Sequence, residues 1–387
     1  MKRFAIALMI FAGYTASAQP TISPYTELVW SDEFNGNGSI NTTKWHHQTL
    51  LPNGDSWFNG ELQHYTNRIE NSYQSGGSLH INAKAETFND QGVTKQYTSA
   101  RLNSKFAFTY GRVEVRAKLP QGSGTWPAIW MLGKNIIETG GYFSEQFGQV
   151  IWPACGEIDI MEHWGVNPNY VSAALHTPSS FGGTINVGGT ILPDVFNTWH
   201  VYEMEWSPES IVFSVDGVEY YTYNPPVKNA ATWPFDNDQY LLLNVAINGD
   251  IFQGFTSSAM EIDYVRVFQE PTIDTSFDPT TQVFINGVLL SWDIPDDVIG
   301  CQVVGGPIGG NDGASINIIN SSPDFVFVNS SALSNGDFQW KVRCATSINP
   351  PQGITEYSAY STFSFPPGPN SIAAPAELQK KASDIKW

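Results

Sequence analysis

Arg112-Val113-Glu114-Val115-Arg116-Ala117 alternates charged and apolar side chains without interruption. Successive side chains of a strand leave by opposite faces, so this stretch predicts a half-buried strand. The alternation recurs outward from it, in Ser78-Leu79-His80-Ile81-Asn82-Ala83, in Ile211-Val212-Phe213-Ser214-Val215 and in Ile262-Asp263-Tyr264-Val265-Arg266-Val267-Phe268. Gly, Pro, Asn or Asp bounds these runs, and Asp216-Gly217 between Val215 and Val218 reads as a hairpin turn. No long stretch carries the apolar period of a helix. From Leu28 to about Gln269 the chain therefore reads as all-β, an antiparallel sandwich.

The character changes near Glu270-Pro271, beyond which Ser, Asn and Gly are more frequent. Val288-Leu289-Leu290-Ser291-Trp292, Cys301-Gln302-Val303-Val304, Phe338-Gln339-Trp340-Lys341-Val342-Arg343 and Tyr360-Ser361-Thr362-Phe363 read as strands of a second, smaller β-sandwich. At the start, Met1-Lys2-Arg3, an apolar run from Phe4 to about Ala12 and Ala16-Ser17-Ala18 have the order of an export leader, and the run is too short to span a bilayer. The expected organisation is a leader at 1–18, a first domain at 19–270, a second at 271–366 and a disordered tail at 367–387. The mature protein is expected outside the cytoplasm, whether extracellular, periplasmic or held at the envelope.

Only 14% of the 387 residues are charged, while 13% are aromatic, with 13 Trp. Such a balance fits a β-protein with an aromatic-lined cleft, although most rings belong in the core. The formal charge of −18 becomes about −20 once Lys2 and Arg3 leave with the leader, and such a surface repels polyanions. Nucleic acid is excluded as the expected partner, and a neutral glycan is favoured over a heavily sulfated one. Of the three cysteines, Cys301 and Cys344 fall on strands of the second domain and can pair. Cys155 reads as a buried small residue, with no His–Asn arrangement beside it that argues for a nucleophile.

Gly156-Glu157-Ile158-Asp159-Ile160-Met161-Glu162 carries the chemistry. Glu157 and Asp159 share a face, with Ile158 and Ile160 on the reverse. On a regular strand Glu162 points away; one extra residue, a β-bulge around Ile160-Met161, returns it to the face of the other two. Three acids on one face raise one another's cost, and a sandwich interior gains nothing from them. A solvated outer face and a Ca2+ site are the alternatives. The first gives no reason for a Trp-rich setting, and the second draws its oxygens from irregular loops. Two carboxyls about 5–5.5 Å apart serve retaining glycosidases as nucleophile and acid/base, and the bulge lets Glu157 and Glu162 meet that spacing. Spacing alone leaves the order of roles open.

The strand and its surroundings resemble glycoside hydrolase family sixteen, and within it the laminarinases, which are endo-1,3-β-glucanases. The resemblance covers roughly 28–269. It is carried by Leu28-Val29-Trp30-Ser31-Asp32-Glu33-Phe34, Glu61-Leu62-Gln63-His64-Tyr65-Thr66, Tyr97-Thr98-Ser99-Ala100-Arg101-Leu102, Tyr110 through Pro120, Trp126-Pro127-Ala128-Ile129-Trp130-Met131-Leu132, the acidic strand, His176-Thr177, and Met260 through Val267. It implies a concave, concanavalin-like β-jelly roll with Glu157 as nucleophile, Glu162 as acid/base, Asp159 as helper and retention of configuration. It also implies sugar contacts from Asn59, Glu61, Arg101, Trp126, Trp130 and His176. Core packing is the alternative for the two tryptophans and His176, a buried acid partner for Arg101, and ordinary loop polarity for Asn59 and Glu61. The sequence shows no cofactor motif, so none is expected for catalysis; the resemblance implies a structural Ca2+ on Glu33, the Gly77 carbonyl and Asp263, with turn and edge-strand polarity the alternative there. The stretch beyond 271 resembles a fibronectin type III module, through Leu290-Ser291-Trp292, Trp340-Lys341-Val342-Arg343 and Tyr357-Ser358-Ala359-Tyr360-Ser361; in that topology the strands of Cys301 and Cys344 are neighbours.

The chain departs from many laminarinases after Leu243-Asn244-Val245-Ala246, where Ile247-Asn248-Gly249-Asp250-Ile251-Phe252-Gln253-Gly254 replaces a Gly-Gly-x-Trp-Pro-Gly loop. Linkage preference is therefore open. The leading expectation is a monomeric endo-1,3-β-glucanase acting on a β-glucan. A mixed-linkage β-glucanase, an agar-type galactan hydrolase and a non-catalytic glucan-binding protein are the competitors, the last opposed by the intact Glu157, Asp159 and Glu162. Trp164 is either a stacking ring or core.

Overall fold

The alternating stretch at 112–117 lies in the strand Gly111–Lys118, where buried and half-buried positions alternate from end to end. Val113, Val115 and Ala117 face a core, while Arg112, Glu114 and Arg116 face out. The structure is a computed structural model. It describes residues 23–270, 279–284, 286–293, 298, 300–309, 314–319, 325–348, 351–354, 357–366, 373–374 and 382–383. The leader read at 1–18 lies outside the described residues.

The chain is all-β. Gly111–Lys118 sits between His200–Trp206 and Ser257–Gln269 in a ten-stranded sheet. A seven-stranded sheet has the order Val187–Ile191, Tyr170–His176, Glu157–Glu162, Thr125–Gly133, Gln239–Ile247, Arg101–Phe108, Trp45–His47. One apolar core draws on both, with Val113, Val115 and Val265 from the first and Ile129, Ile158 and Leu243 from the second. Within the seven-stranded sheet, Gln239–Ile247 is covered on both faces, with every position buried. The acidic strand runs inside this sheet, with two strands on one side of it and four on the other, where a covered face can hold charge away from bulk water.

A second unit has its own core of Val288, Leu290, Trp292, Val303, Trp340 and Val342. It lies between a four-stranded sheet and a five-stranded one. Gly300–Pro307 pairs with Gly336–Ile348 so that Cys301 faces Cys344, and the two form a disulfide, leaving Cys155 as a buried thiol. Of the stretch expected as a disordered tail, the structure describes 373–374 and 382–383. Ala374 is buried against Phe284 and Phe327, and Ala382–Ser383 pairs in parallel with Phe327 and Val328. No described helix is long and apolar enough to cross a membrane.

Candidate active site

Glu157–Glu162 contains the expected bulge. Against Tyr170–His176 the register runs Glu157 to His176 and Asp159 to Ala174, then shifts so that Glu162 meets Ser172. Against Thr125–Gly133 it shifts between Asp159 and Met161. Ile158, Ile160 and Met161 all enter the core, and Glu157, Asp159 and Glu162 are left together on the opposite face. They line a cleft of about 580 Å³ whose walls include Asn59, Glu61, Arg101, Trp126, Trp130 and Trp152.

Each glutamate receives an indole N–H. Trp126 Nε1 donates to Glu162 Oε1 at 3.0 Å, and Trp152 Nε1 donates to Glu157 Oε2 at 2.8 Å. His176 Nε2 stands 3.2 Å from Asp159 Oδ2 and 3.5 Å from Glu157 Oε1. Its other nitrogen, Nδ1, accepts the backbone N–H of Gly182 at 3.1 Å. A neutral imidazole held this way carries its hydrogen on Nε2 and points it at the acids.

Burial pushes Glu157 well above the usual carboxylate range; the Asp159 charge adds to this and that of Glu162 less so, while His176 and the Trp152 N–H oppose it. Burial also raises Asp159 strongly, with the Glu162 charge next. Glu162 is raised by burial, against the Trp126 hydrogen bond and His176. Three acids so close cannot all be ionised, so the cluster holds protons where isolated carboxyls would have lost them. A proton donor can thus coexist with an ionised neighbour.

The structure brings the six expected sugar-contacting residues to this site in different ways. Trp126 and Trp130 are half-buried in the cleft wall; Trp130 Nε1 donates to Asn244 Oδ1 at 2.7 Å, and Trp126 stacks on Trp164 at 4.1 Å between centroids. Asn59 is an exposed wall residue with φ of 59°. Glu61 is buried, accepting from Gln63 Nε2 at 2.7 Å and Tyr65 Oη at 2.9 Å; burial raises its pKa against the pull of Arg101. Arg101 is 3% exposed, ion-paired with Glu138 at 2.6 Å and bonded through Nε to Gln48. His176 belongs to the carboxylate cluster itself. Trp152, Glu138 and Asn244 also line the cleft and were not singled out in the sequence. Trp152 and Glu138 sit on irregular stretches with no period to expose them; Asn244 is the polar interruption of an apolar strand, a signal that was available. The 247–254 loop bonds back to the neighbouring turn through Asn248 N to Gly124 O and Phe252 N to Ser123 O.

The positions considered for Ca2+ are differently engaged. Both Glu33 oxygens accept from Arg266, Asp263 accepts from Arg116, and Gly77 lies in a turn with φ of 81°. As arranged, the Glu33 and Asp263 carboxylates are engaged by arginines.

Residues 61–266 match the family model described as glycosyl hydrolases family 16. The chain is 39% identical over 287 residues to the β-glucanase of Rhodothermus marinus, covering 70% of this chain and 95% of that protein. It is 37% identical over 269 residues to the glucan endo-1,3-β-glucosidase A1 of Niallia circulans, covering 63% of this chain and 38% of that one. Among solved structures, a LamA variant from Z. galactanivorans in complex with laminaritriose and laminaritetraose is similar at a TM-score of 0.59 and 47% identity, over 63% of this chain and 100% of that chain.

Proposed function

We propose, from the premise that the chain belongs to glycosyl hydrolases family 16 and is a glycoside hydrolase, that it cleaves 1,3-β-glucan internally with retention of configuration. The observation that carries the mechanism is one bulged strand presenting Glu157, Asp159 and Glu162 to a cleft, with a separate indole N–H on each glutamate. The similarity to a glucan endo-1,3-β-glucosidase and to a protein solved with laminaritriose and laminaritetraose supports the linkage.

In this reading Glu162 begins protonated and gives its proton to the glycosidic oxygen as that bond breaks. Glu157 attacks the anomeric carbon and forms a covalent glycosyl-enzyme. Glu162, now ionised, takes a proton from water, whose oxygen displaces Glu157 and regenerates both groups. Glu157 must start ionised in a buried place. Asp159 helps by keeping a proton of its own, which removes the largest repelling charge; the Trp152 N–H and the His176 Nε2–H stabilise the remaining anion. The trio thus separates an anion from an acid within one strand.

The proposal extends to export through the 1–18 leader, to a monomeric state, and to a fibronectin type III-like spacer at 271–366. Deleting 272–387 and assaying binding to insoluble glucan tests the spacer, which requires binding to be unchanged. A structural Ca2+ on Glu33, the Gly77 carbonyl and Asp263 requires Arg266 to release Glu33; a Ca2+-dependent rise in Tm that Glu33→Gln removes is its test.

The deciding assay measures reducing ends released from laminarin, mixed-linkage β-glucan and agarose, with Glu157→Gln as control. Release from laminarin, lost in the variant, supports the full reading. Release confined to another polymer overturns the linkage and leaves the carboxylates in place. Inactivity on all three favours a glucan-binding role. Azide rescue of Glu157→Gly, giving the glycosyl azide of inverted configuration, tests the nucleophile separately.

A further inference from the structure

Two N–H donors face Glu157, from Trp152 and His176, and both are held by one short segment. The Phe181 ring meets the Trp152 indole edge-on, at 5.3 Å between centroids and 85° between planes. Gly182 gives its backbone N–H to His176 Nδ1 at 3.1 Å, which fixes the hydrogen on the side of the carboxylates. The segment is itself braced. Thr177 and Ser180 exchange backbone hydrogen bonds, Ser180 Oγ pairs with Thr184 Oγ1 at 3.0 Å, and Thr184 Oγ1 donates to Leu175 O at 2.9 Å. Gly182 has φ of +66°, a conformation that a side chain resists. Phe181 nevertheless stays 52% exposed, and Trp152 37%. A large apolar ring left half in water, bearing on an indole that touches a buried carboxylate, does little for the core.

We infer that Phe181-Gly182 is a positioning element for Glu157, aiming the Trp152 indole and setting the His176 tautomer so that both N–H groups converge on the nucleophile. This rests on the reading of Glu157 given above. Neither residue touches the carboxylates, so both act through the groups they hold. Phe181 narrows the orientations open to the indole, and the hydrogen bond to Glu157 then forms at a smaller entropic cost. The titratable groups facing Glu157 are Asp159 and Glu162 on its own strand, His176 on the adjoining strand and the Cys155 thiol just before it. Thr125–Gly133, on the other side, carries no titratable side chain. A donor that stabilises the anion lowers the pH at which it forms, so loosening the donor moves the acid limb of activity upward.

The test is kcat and KM on laminarin across the active pH range for full-length Phe181→Ala, Phe181→Tyr and Trp152→Phe. The first and third are expected to lose about tenfold in kcat, the scale of one charge-assisted hydrogen bond, with the acid limb displaced to higher pH. Phe181→Tyr keeps the ring and is expected to restore both. Phe181 lies outside the core, so its truncation leaves the fold; Trp152→Phe probes the same bond from the other end. An unmoved acid limb in Phe181→Ala, or an effect confined to KM, overturns the inference. Glu157→Gly with azide separates the two levels: rescue with an unmoved limb sinks this inference alone, and no rescue sinks it together with the nucleophile assignment.

Discussion

Trp126 Nε1 donates to Oε1 of Glu162 at 3.0 Å, while the same indole stacks on Trp164. The hydrogen bond pulls the Glu162 pKa down against burial. Trp126→Phe keeps an aromatic face and removes the donor, so Glu162 should hold its proton to higher pH. The basic limb of kcat/KM is expected to move upward, in the same direction as the acid-limb change expected at Trp152. Loss of the bond should cost about tenfold in kcat. A pH–rate profile checks it, and an unmoved basic limb speaks against Glu162 as the acid.

The carboxylate cluster also bears on stability. Glu157 and Asp159 are raised well above their ordinary values of 4.5 and 3.8 by burial first, then Glu157 by the Asp159 charge and Asp159 by that of Glu162. An acid raised on folding contributes stability that is complete below its unfolded pKa and is lost as pH rises through the folded one. At neutral pH the folded enzyme therefore carries an electrostatic penalty that an amide does not. Asp159→Asn and Glu157→Gln should raise Tm at pH 7, and the gain should shrink as pH falls toward the unfolded pKa values. Thermal melts at neutral and acid pH decide this; equal gains at both would point to packing instead of charge.

How much of this was legible follows from where each residue gets its information. The bulge at Ile160-Met161 could be read because three acids and three apolar side chains in one short segment can be sorted onto two faces in only one economical way. Arg112–Ala117 was legible because one of its faces meets water. Gln239–Ile247 offered no alternation, since both of its faces are covered, and Asn244 was passed over inside it. Trp152, Phe181 and Gly182 meet only through folding, from irregular segments that carry no period. The same holds for Glu138. Its pairing with Arg101 could be entertained as a buried acid partner, but nothing in the 134–150 stretch said which acid.

Cys301 and Cys344 stand opposite each other on neighbouring antiparallel strands and are joined across 43 residues of chain. Closing a loop of that length restricts the unfolded chain, by about 4 kcal/mol in the entropic account. The second core, with Val288, Trp292 and Trp340, shares no residue with the first. Cys344→Ser, or reduction with a thiol, should therefore lower the unfolding transition of the second unit and leave laminarin hydrolysis unchanged. Calorimetry with a parallel activity assay is the measurement. A matching fall in activity would show that the two units fold as one.

Arg101 tests the boundary between sugar contact and scaffold. Its guanidinium lies between the Trp57 ring at 5.3 Å and the Trp130 ring at 4.7 Å, pairs with Glu138 at 2.6 Å and bonds Gln48, with 3% of the residue exposed. Removing one member of a buried ion pair leaves the other charge uncompensated, at a cost of about 3–5 kcal/mol. Arg101→Met should therefore lower the urea midpoint strongly. Arg101→Met combined with Glu138→Gln should recover most of the loss, because the Glu138 charge is then no longer stranded. Trp130, losing its stacked cation, should raise KM in both variants by a smaller factor. If Arg101→Met instead leaves the midpoint in place and raises KM alone, the guanidinium serves the sugar directly and the Glu138 pair is secondary.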